Sequence, residues 1–433
     1  MRDHIRHCDT IVIGSGLAGL LAAAALAERG ARVSLIAKGG GYLHFTSGCV
    51  DILGADTAGN ALDDPLSALS ALIAGNPSHP YALAREDALE QSIELFRRVM
   101  SSSDYLFAGT LSRNVLMPTA LGSTRVTCLV PESMAAGDVR DDSPMLIVGF
   151  RSFRDFYPPY LAANLRRLVP FSVHDLYLDL PALDGRRHLL SMDVARCFDD
   201  PHFRGEVIKR VKANLHGAGR VGFPAVLGLD RPREAAAHLQ ERLGLPVFEI
   251  PTLPPSVAGI RVDNAFRRWL MQRGVRIEIG FWIEGRIDGS RAIEIVVDSA
   301  GHKTRYSADA YVLATGGTGG GGIKAYPNGR LQETVFDLPV QGPADRTAWY
   351  RGEFLGREPQ PISLVGVRTN GQLQALGADS RPIDNVLVAG ATLPSWDPTR
   401  EKSGEGVALA TGWKAAMGAV ALSSKLNSVG VGK

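Results

Sequence analysis

One run, residues 9–19 (DTIVIGSGLAG), does most to limit what this 433-residue chain can fold into. Residues 9–13 are a short apolar strand. Gly14, Gly16 and Gly19 follow at the spacing GxGxxG, then a small-residue helix (LLAAAALAERG) and a second apolar strand at 31–37 (ARVSLIA). A strand, a glycine turn, a helix and a further strand form the βαβ unit that opens a dinucleotide-binding fold. Gly14 permits the tight turn, Gly16 lets backbone approach a phosphate, and Gly19 lets helix and strand pack closely. The free N–H groups of the helix start, with the helix dipole behind them, favour an anion. A Gly-rich turn in an ordinary α/β protein is the plain alternative for such a motif; the flanking strand and helix argue against it.

Length bounds the rest. A chain of this size suggests two or three domains with a large core. Hydrophobic content of 45% is that of a globular protein, and a net charge of +2 points to no nucleic-acid or membrane-surface partner. Cys8, Cys49, Cys128 and Cys197 are scattered without CxxC spacing, so no metal or iron–sulfur site is expected, and reduced thiols in a cytosol fit best. The longest apolar run, 17–27, belongs to the fingerprint helix and is too short to span a bilayer; no signal peptide is expected.

The dinucleotide module is discontinuous. Within 251–280, Ile260, Phe266, Leu270 and Met271 recur at near-helical spacing with Arg267, Arg268 and Gln272 on the other side; Gly274 stops the helix and 275–279 alternates as a strand. Three strand-like runs follow at 281–287, 292–298 and 303–307, with turns at Asp288-Gly289 and Ala300-Gly301: a β-meander. The run 311–317 (YVLATGG) is an apolar strand ending in small residues. A third fragment holds a strand at 385–390 (NVLVAG) and a Gly-initiated helix at 404–420. The order helix, strand, meander, strand ending in ATGG resembles that of FAD-type two-dinucleotide flavoproteins, and this resemblance implies an α/β fold with a Rossmann-like flavin-binding domain built from segments 1–62, 251–330 (with the meander) and 381–433. An inserted α/β cap is expected at 63–250, with a second part at 331–380. In the cap, 86–100 is an amphipathic helix carrying Leu89, Ile93, Phe96 and Met100 on one face, 145–150 and 221–229 read as strands, and 153–168 as a helix broken in its first turn by Pro158-Pro159.

Three segments carry a specific resemblance: VIGSGLAGLLAA with YLHFTSGCVDIL after the second strand, LPPSVAGIR before the second-fragment helix, and NVLVAGATLPSWDP near the end. Over nearly its whole length the chain resembles the B-subunit family of anaerobic glycerol-3-phosphate dehydrogenases. That resemblance implies a flavoprotein of the cytoplasm, peripheral at the inner membrane. It implies pairing with the catalytic A subunit of the dehydrogenase, and anchoring by a membrane-associated iron–sulfur protein, the C subunit. The implied net reaction is glycerol 3-phosphate to dihydroxyacetone phosphate, with electrons passing to quinone. A free-standing FAD-dependent oxidoreductase of a small acid, and a non-catalytic assembly protein with a vestigial site, are the alternatives.

The cofactor-binding residues expected are Gly14, Ser15, Gly16, Gly19, Lys38, Ser47, Gly48, Thr315, Gly316, Gly390, Gly404 and Gly406. Where FAD modules end the second strand in an acidic residue for the adenosine ribose, this chain has Ala37 followed by Lys38. One charge-assisted hydrogen bond is worth about 1.5–3 kcal/mol. Its loss favours FMN, the family's usual flavin, with FAD as the alternative. His44 is a candidate donor, acid or base beneath the flavin, or a turn histidine. Thr46, Ser47 and Gly48 offer donors to flavin edges, or form a turn. Arg261, Arg400 and Lys402 are candidate anion ligands or solvated bases. Glu405 opens a helix, where a carboxylate is favoured for structural reasons alone. Trp349, Tyr350 and Arg351 form an interface-like cluster or a piece of core.

Overall fold

The computed structural model describes residues 5–183, 189–299, 302–353, 356 and 358–430. The principal elements are β1 (Arg6–Ser15), α1 (Leu17–Glu28), β2 (Val33–Gly40), α2 (Glu86–Ser101), β3 (Met145–Phe150), β4 (Val173–Leu178), β5 (Arg220–Pro224), β6 (Val247–Ile250), α3 (Val257–Gln272), β7 (Arg276–Ile279), β8 (Trp282–Asp288), β9 (Arg291–Ser299), β10 (His302–Leu313), β11 (Gln374–Leu376), β12 (Pro382–Val388) and α4 (Gly404–Gly430).

The sequence fragments expected to form one module share one sheet. Strands β7, β2, β1 and β10 lie side by side and parallel, with Ile13 opposite both Ile36 and Leu313. The long β10 belongs to two neighbourhoods. Its first residues pair antiparallel with β9, which pairs with β8; its last three pair parallel with β12, which carries β11 on its far side. The parallel strands β1, β10 and β12 therefore deliver Gly14, Ala314 and Ala389 to one edge. Ligands of open α/β sheets bind outside that edge. The expected meander turn at Ala300-Gly301 lies outside the described residues; the turn at Asp288-Gly289 joins β8 to β9.

Helix α1 is buried nearly all round and correspondingly lacks a polar face. Its small side chains let α4 come close: a Cβ at Gly412 would lie 2.5 Å from the Ala18 carbonyl oxygen. Helix α2 has the expected stripe, but that stripe joins the core of the first sheet, where Leu89, Ile93, Phe96 and Met100 pack with α1 and α4. So do Phe336, Val367 and Leu373, from the stretch expected as the second part of the cap.

The insertion builds its own sheet, β6–β5–β3–β4, all parallel. Its apolar core runs from Val139 to Val257. The helix expected from 153 begins at Pro158 instead, with proline in the first positions, where its missing N–H costs nothing. Residues 151–157 are left as turns because a helix entering Pro158 would place the ring against the preceding turn.

Candidate functional site

The turn between β1 and α1 shows three distinct glycine roles. Gly14 has φ of +115°, and a Cβ there would lie 2.2 Å from the Ala314 carbonyl oxygen. A Cβ at Gly19 would lie 2.0 Å from the Gly14 carbonyl oxygen, so helix and turn touch only because Gly19 has no side chain. A Cβ at Gly16 would meet nothing within 4 Å. Gly16 is the N-cap of α1, no side chain caps that helix start, and no acidic residue stands in its first turn. An uncapped N-terminus with open space at its cap is what a phosphate needs. The Ser15 hydroxyl is turned the other way, donating to the Gly39 carbonyl at 2.8 Å.

Beyond β2 the chain folds back over this turn: a Cβ at Gly41 would lie 2.5 Å from the Gly16 Cα. Lys38 does not reach toward the helix start; its ammonium sits 3.7 Å from the centroid of the exposed Trp282 ring. In the following loop the Thr46 and Ser47 hydroxyls accept from the Gly48 and Cys49 N–H groups, which makes a turn. Gly48 has φ of +77° and lies so close to α3 that a Cβ would come 2.5 Å from that of Ala258. His44 Nε2 is 3.2 Å from Asp263 Oδ2, and Arg267 donates to the same oxygen at 2.7 Å. The imidazole is thus held by a buried carboxylate while part of it stays at the surface.

Two fragments meet at the end of β10. The Gly316 N–H donates to the Thr392 hydroxyl at 3.0 Å, and the Thr315 Oγ1 is buried with no hydrogen-bond partner among the described residues. Gly390 is occupied internally: its N–H donates to the Thr411 hydroxyl at 2.9 Å, and its Cα faces Ala18 of α1. Gly404 is open, whereas Gly406 is closed in. The Gly406 N–H donates to the Asp51 carbonyl at 2.9 Å, and a Cβ there would lie 2.1 Å from the Tyr81 hydroxyl. Gly14, Gly16 and Gly19 therefore shape the open turn, Thr315 and Gly316 follow the neighbouring end of β10, Gly404 has room beside Pro398, and Gly390 and Gly406 allow close packing within the chain.

Asp51 and Arg125 are functional candidates that sequence reasoning misses. Asp51 is a charge inside the apolar run CVDILG, which is the available signal; Arg125 sits on the short strand Thr124–Thr127, far away in sequence, and offers none. Arg125 forms an ion pair with Asp51. Glu405, in the first turn of α4, lies beside both, and the N–H groups of Glu405 and Asp51 face its carboxylate. Burial, and after it the Asp51 charge, push the Glu405 carboxyl up to about 7. Burial likewise raises Asp51, against the pull of Arg125. Cys49, two residues before Asp51, is pushed up to about 11 by burial.

Most of the remaining candidates make contacts within the chain. Arg261 is fully enclosed, donates to both oxygens of Glu249 at 2.7 and 3.0 Å and reaches the Gly228 carbonyl, tying α3 to the insertion. Arg400 donates to the Gly356 carbonyl, and Lys402 packs its chain against Gly54. Trp349 is buried in a small core with Ile323, Ile362 and Val365, Arg351 pairs with Glu358 at 2.7 Å, and Tyr350 is exposed. Among the described residues there is no cluster that could hold a metal ion.

The family model of the FAD-binding domain matches residues 9–407, which makes this a flavoprotein of the flavin-dependent oxidoreductase class. The chain is 32% identical over 419 residues to the B subunit of anaerobic glycerol-3-phosphate dehydrogenase of Vibrio cholerae serotype O1, covering 94% of this chain and 95% of the relative. It is 33% identical over 421 residues to the probable B subunit of anaerobic glycerol-3-phosphate dehydrogenase of Halobacterium salinarum, covering 94% and 96%. The chain belongs to the family of anaerobic glycerol-3-phosphate dehydrogenase B subunits.

Proposed function

We propose that this chain is the electron-carrying flavoprotein of a glycerol-3-phosphate dehydrogenase complex. It works beside the catalytic A subunit, and the iron–sulfur C subunit holds the pair at the inner membrane and passes electrons on to quinone. The observation that carries this reading is the uncapped start of α1 beneath an open Gly16, in a chain of this family. No helix among the described residues is long and apolar enough to cross a membrane, so anchoring falls to a partner.

The site fits a flavin phosphate. Gly14, Gly16 and Gly19 form its cradle at the helix start. Thr315 and Gly316 border the edge at the end of β10, where the Gly316 N–H is held by the Thr392 hydroxyl. The loop at Ser47 and Gly48 and the helix start at Gly404 close it from two sides. When bound, the flavin supplies the two-electron chemistry; the protein binds and orients it. FMN is the proposed flavin, because the end of β2 offers Ala37 and a Lys38 already engaged by Trp282, and no carboxylate for an adenosine ribose. The insertion with its core at 139–257 is read as the cap over this edge.

Turnover tests the division of labour. The isolated chain is expected to oxidise glycerol 3-phosphate poorly with an artificial electron acceptor. Co-expressed with its A-subunit partner it is expected to form a soluble heterodimer with restored turnover. High turnover by this chain alone would refute the relay role.

A further inference from the structure

Beyond Ile36, β2 leaves the register it has kept with β1. Ile13 lies opposite Ile36, but the next pair is Ser15 with Gly40, so Gly14 on one strand is matched by Ala37, Lys38 and Gly39 on the other. The extra length bulges outward and then returns to the glycine turn, where three contacts hold it. The buried Ser15 hydroxyl donates to the Gly39 carbonyl at 2.8 Å. Gly41 presses on the turn itself: a Cβ there would lie 2.5 Å from the Gly16 Cα, 2.7 Å from the Ser15 carbonyl oxygen and 2.8 Å from the Gly16 nitrogen. The Tyr42 hydroxyl then donates at 3.1 Å to the carbonyl of Gly319, in the loop that follows β10. Since β1 lies between β2 and β10, residues 39–42 run from one neighbour of β1 to the other and touch the end of β1 on the way. The bulge is held on its outer side as well. The Ala37 carbonyl accepts from the Gly280 N–H at 2.9 Å, just past β7, and Lys38 is drawn to the Trp282 ring.

In a dinucleotide site the phosphates lie at the helix start, and the adenosine ribose lies between the turn and the end of β2, where an acidic residue reaches it. Here that interval is filled with main chain. Ala37 merely omits a contact, whereas residues 39–41 take the space. What stays open is the cap position of α1, where a Cβ on Gly16 would meet nothing within 4 Å. A helix start open in this way suits a phosphate whose organic group leaves on one side only.

We propose that residues 39–42, fastened to Ser15, Gly16 and Gly319, close the β2 flank of the glycine turn, so that the turn takes the terminal phosphate of a flavin mononucleotide and shuts out the adenosine half of a dinucleotide. This rests on the flavoprotein reading above and places the choice of flavin in the loop rather than at position 37 alone. For FAD to bind, the segment must first come off Ser15 and Gly16, and the apparent affinity falls with the fraction of molecules in which it has done so. FMN, which ends at its phosphate, needs no such opening. Ser15 and Tyr42 are positioning residues: they hold the segment, and no contact with the flavin ring is assigned to them.

Fluorescence titration of the flavin-free chain with FMN and with FAD tests this. Both ligands carry the same ring, ribityl chain and first phosphate, so damage to the turn as such cancels in the ratio of their affinities. The wild type is expected to favour FMN by about tenfold or more, as when no more than about one molecule in ten is open. Ser15→Ala and Tyr42→Phe each remove one hydrogen bond and add no bulk. Each is expected to move the ratio toward FAD by about two- to tenfold, the worth of one neutral hydrogen bond, and both together by more than either. Gly41→Ala, whose new methyl group forces the segment off Gly16, is expected to move it the same way. A wild type that binds FAD as tightly as FMN overturns the proposal. So does a preference for FMN that none of the three substitutions moves; that result would trace the preference to Ala37 and leave the flavoprotein reading standing. A wild type that takes up neither flavin refutes the proposed function, and this inference with it.

Discussion

At the scale of single residues, charge placement separates structure from function. Arg261, a candidate anion ligand on sequence, is a buried partner of Glu249. Removing one member of a buried pair leaves the other uncompensated, at a cost of about 3–5 kcal/mol. Arg261→Met is expected to lower unfolding stability in urea by that amount while leaving the open phosphate turn intact, and Arg261→Met combined with Glu249→Met to recover part of the loss. Glu405 makes a pH prediction with a definite sign. Its folded-state affinity for a proton is raised, from an ordinary value of 4.5 to about 7. Its contribution to stability is therefore complete below the unfolded value and is lost as pH rises through about 7. Denaturation of wild type against Glu405→Gln across that range is expected to show the wild type losing ground; a constant difference would mean that Glu405 titrates normally. Ala37 tests the flavin choice. Ala37→Glu is expected to leave FAD affinity unimproved in fluorescence titrations of the flavin-free chain. A gain approaching about 1.5–3 kcal/mol, the value of one charge-assisted bond, would point to an adenosine lying beside β2.

At the scale of elements, the glycine turn carries the account. Gly16→Val has room, and the chain is expected to fold with a loss of no more than about 1 kcal/mol, the scale of an N-cap change, yet to bind no flavin. Gly19→Ala has no room, since its Cβ would lie 2.0 Å from the Gly14 oxygen. It is expected to cost stability, about 1–3 kcal/mol for overpacking, together with the flavin. Purified variants compared by urea denaturation and by absorbance at the flavin bands distinguish the two. This turn was legible in the sequence because its constraints are local: six residues set both the bend and the packing. The meander and the strands ending at Leu313 and Val388 were legible for a similar reason, as short apolar runs between turn signals. What sequence could not show was which surface each amphipathic stripe covers. The face of α2 reads the same whether it packs on the cap or on α4, and only the tertiary path decides. Gly390 and Gly406 show the same need for tertiary context. A glycine near a helix start reads as an approach for a ligand, yet Ala18 and Tyr81 are what approach these two. The Asp51–Arg125 pair needed a contact across 74 residues of sequence, beyond any local pattern.

At the scale of the whole molecule, one sheet assembled from three stretches of chain presents a single open edge, and the insertion forms a parallel sheet of its own. The glycine turn, the β10 end and the entry to α4 converge there, and each lies in a segment that the flavoprotein family model spans. A flavin is expected to occupy that edge. The most direct measurement is to purify the chain, record its absorbance, denature it and identify what is released by mass. The expected result is a yellow protein that releases FMN. Release of FAD would keep the site and overturn the choice of flavin. A colourless chain that takes up neither FMN nor FAD when they are supplied would contradict the central claim.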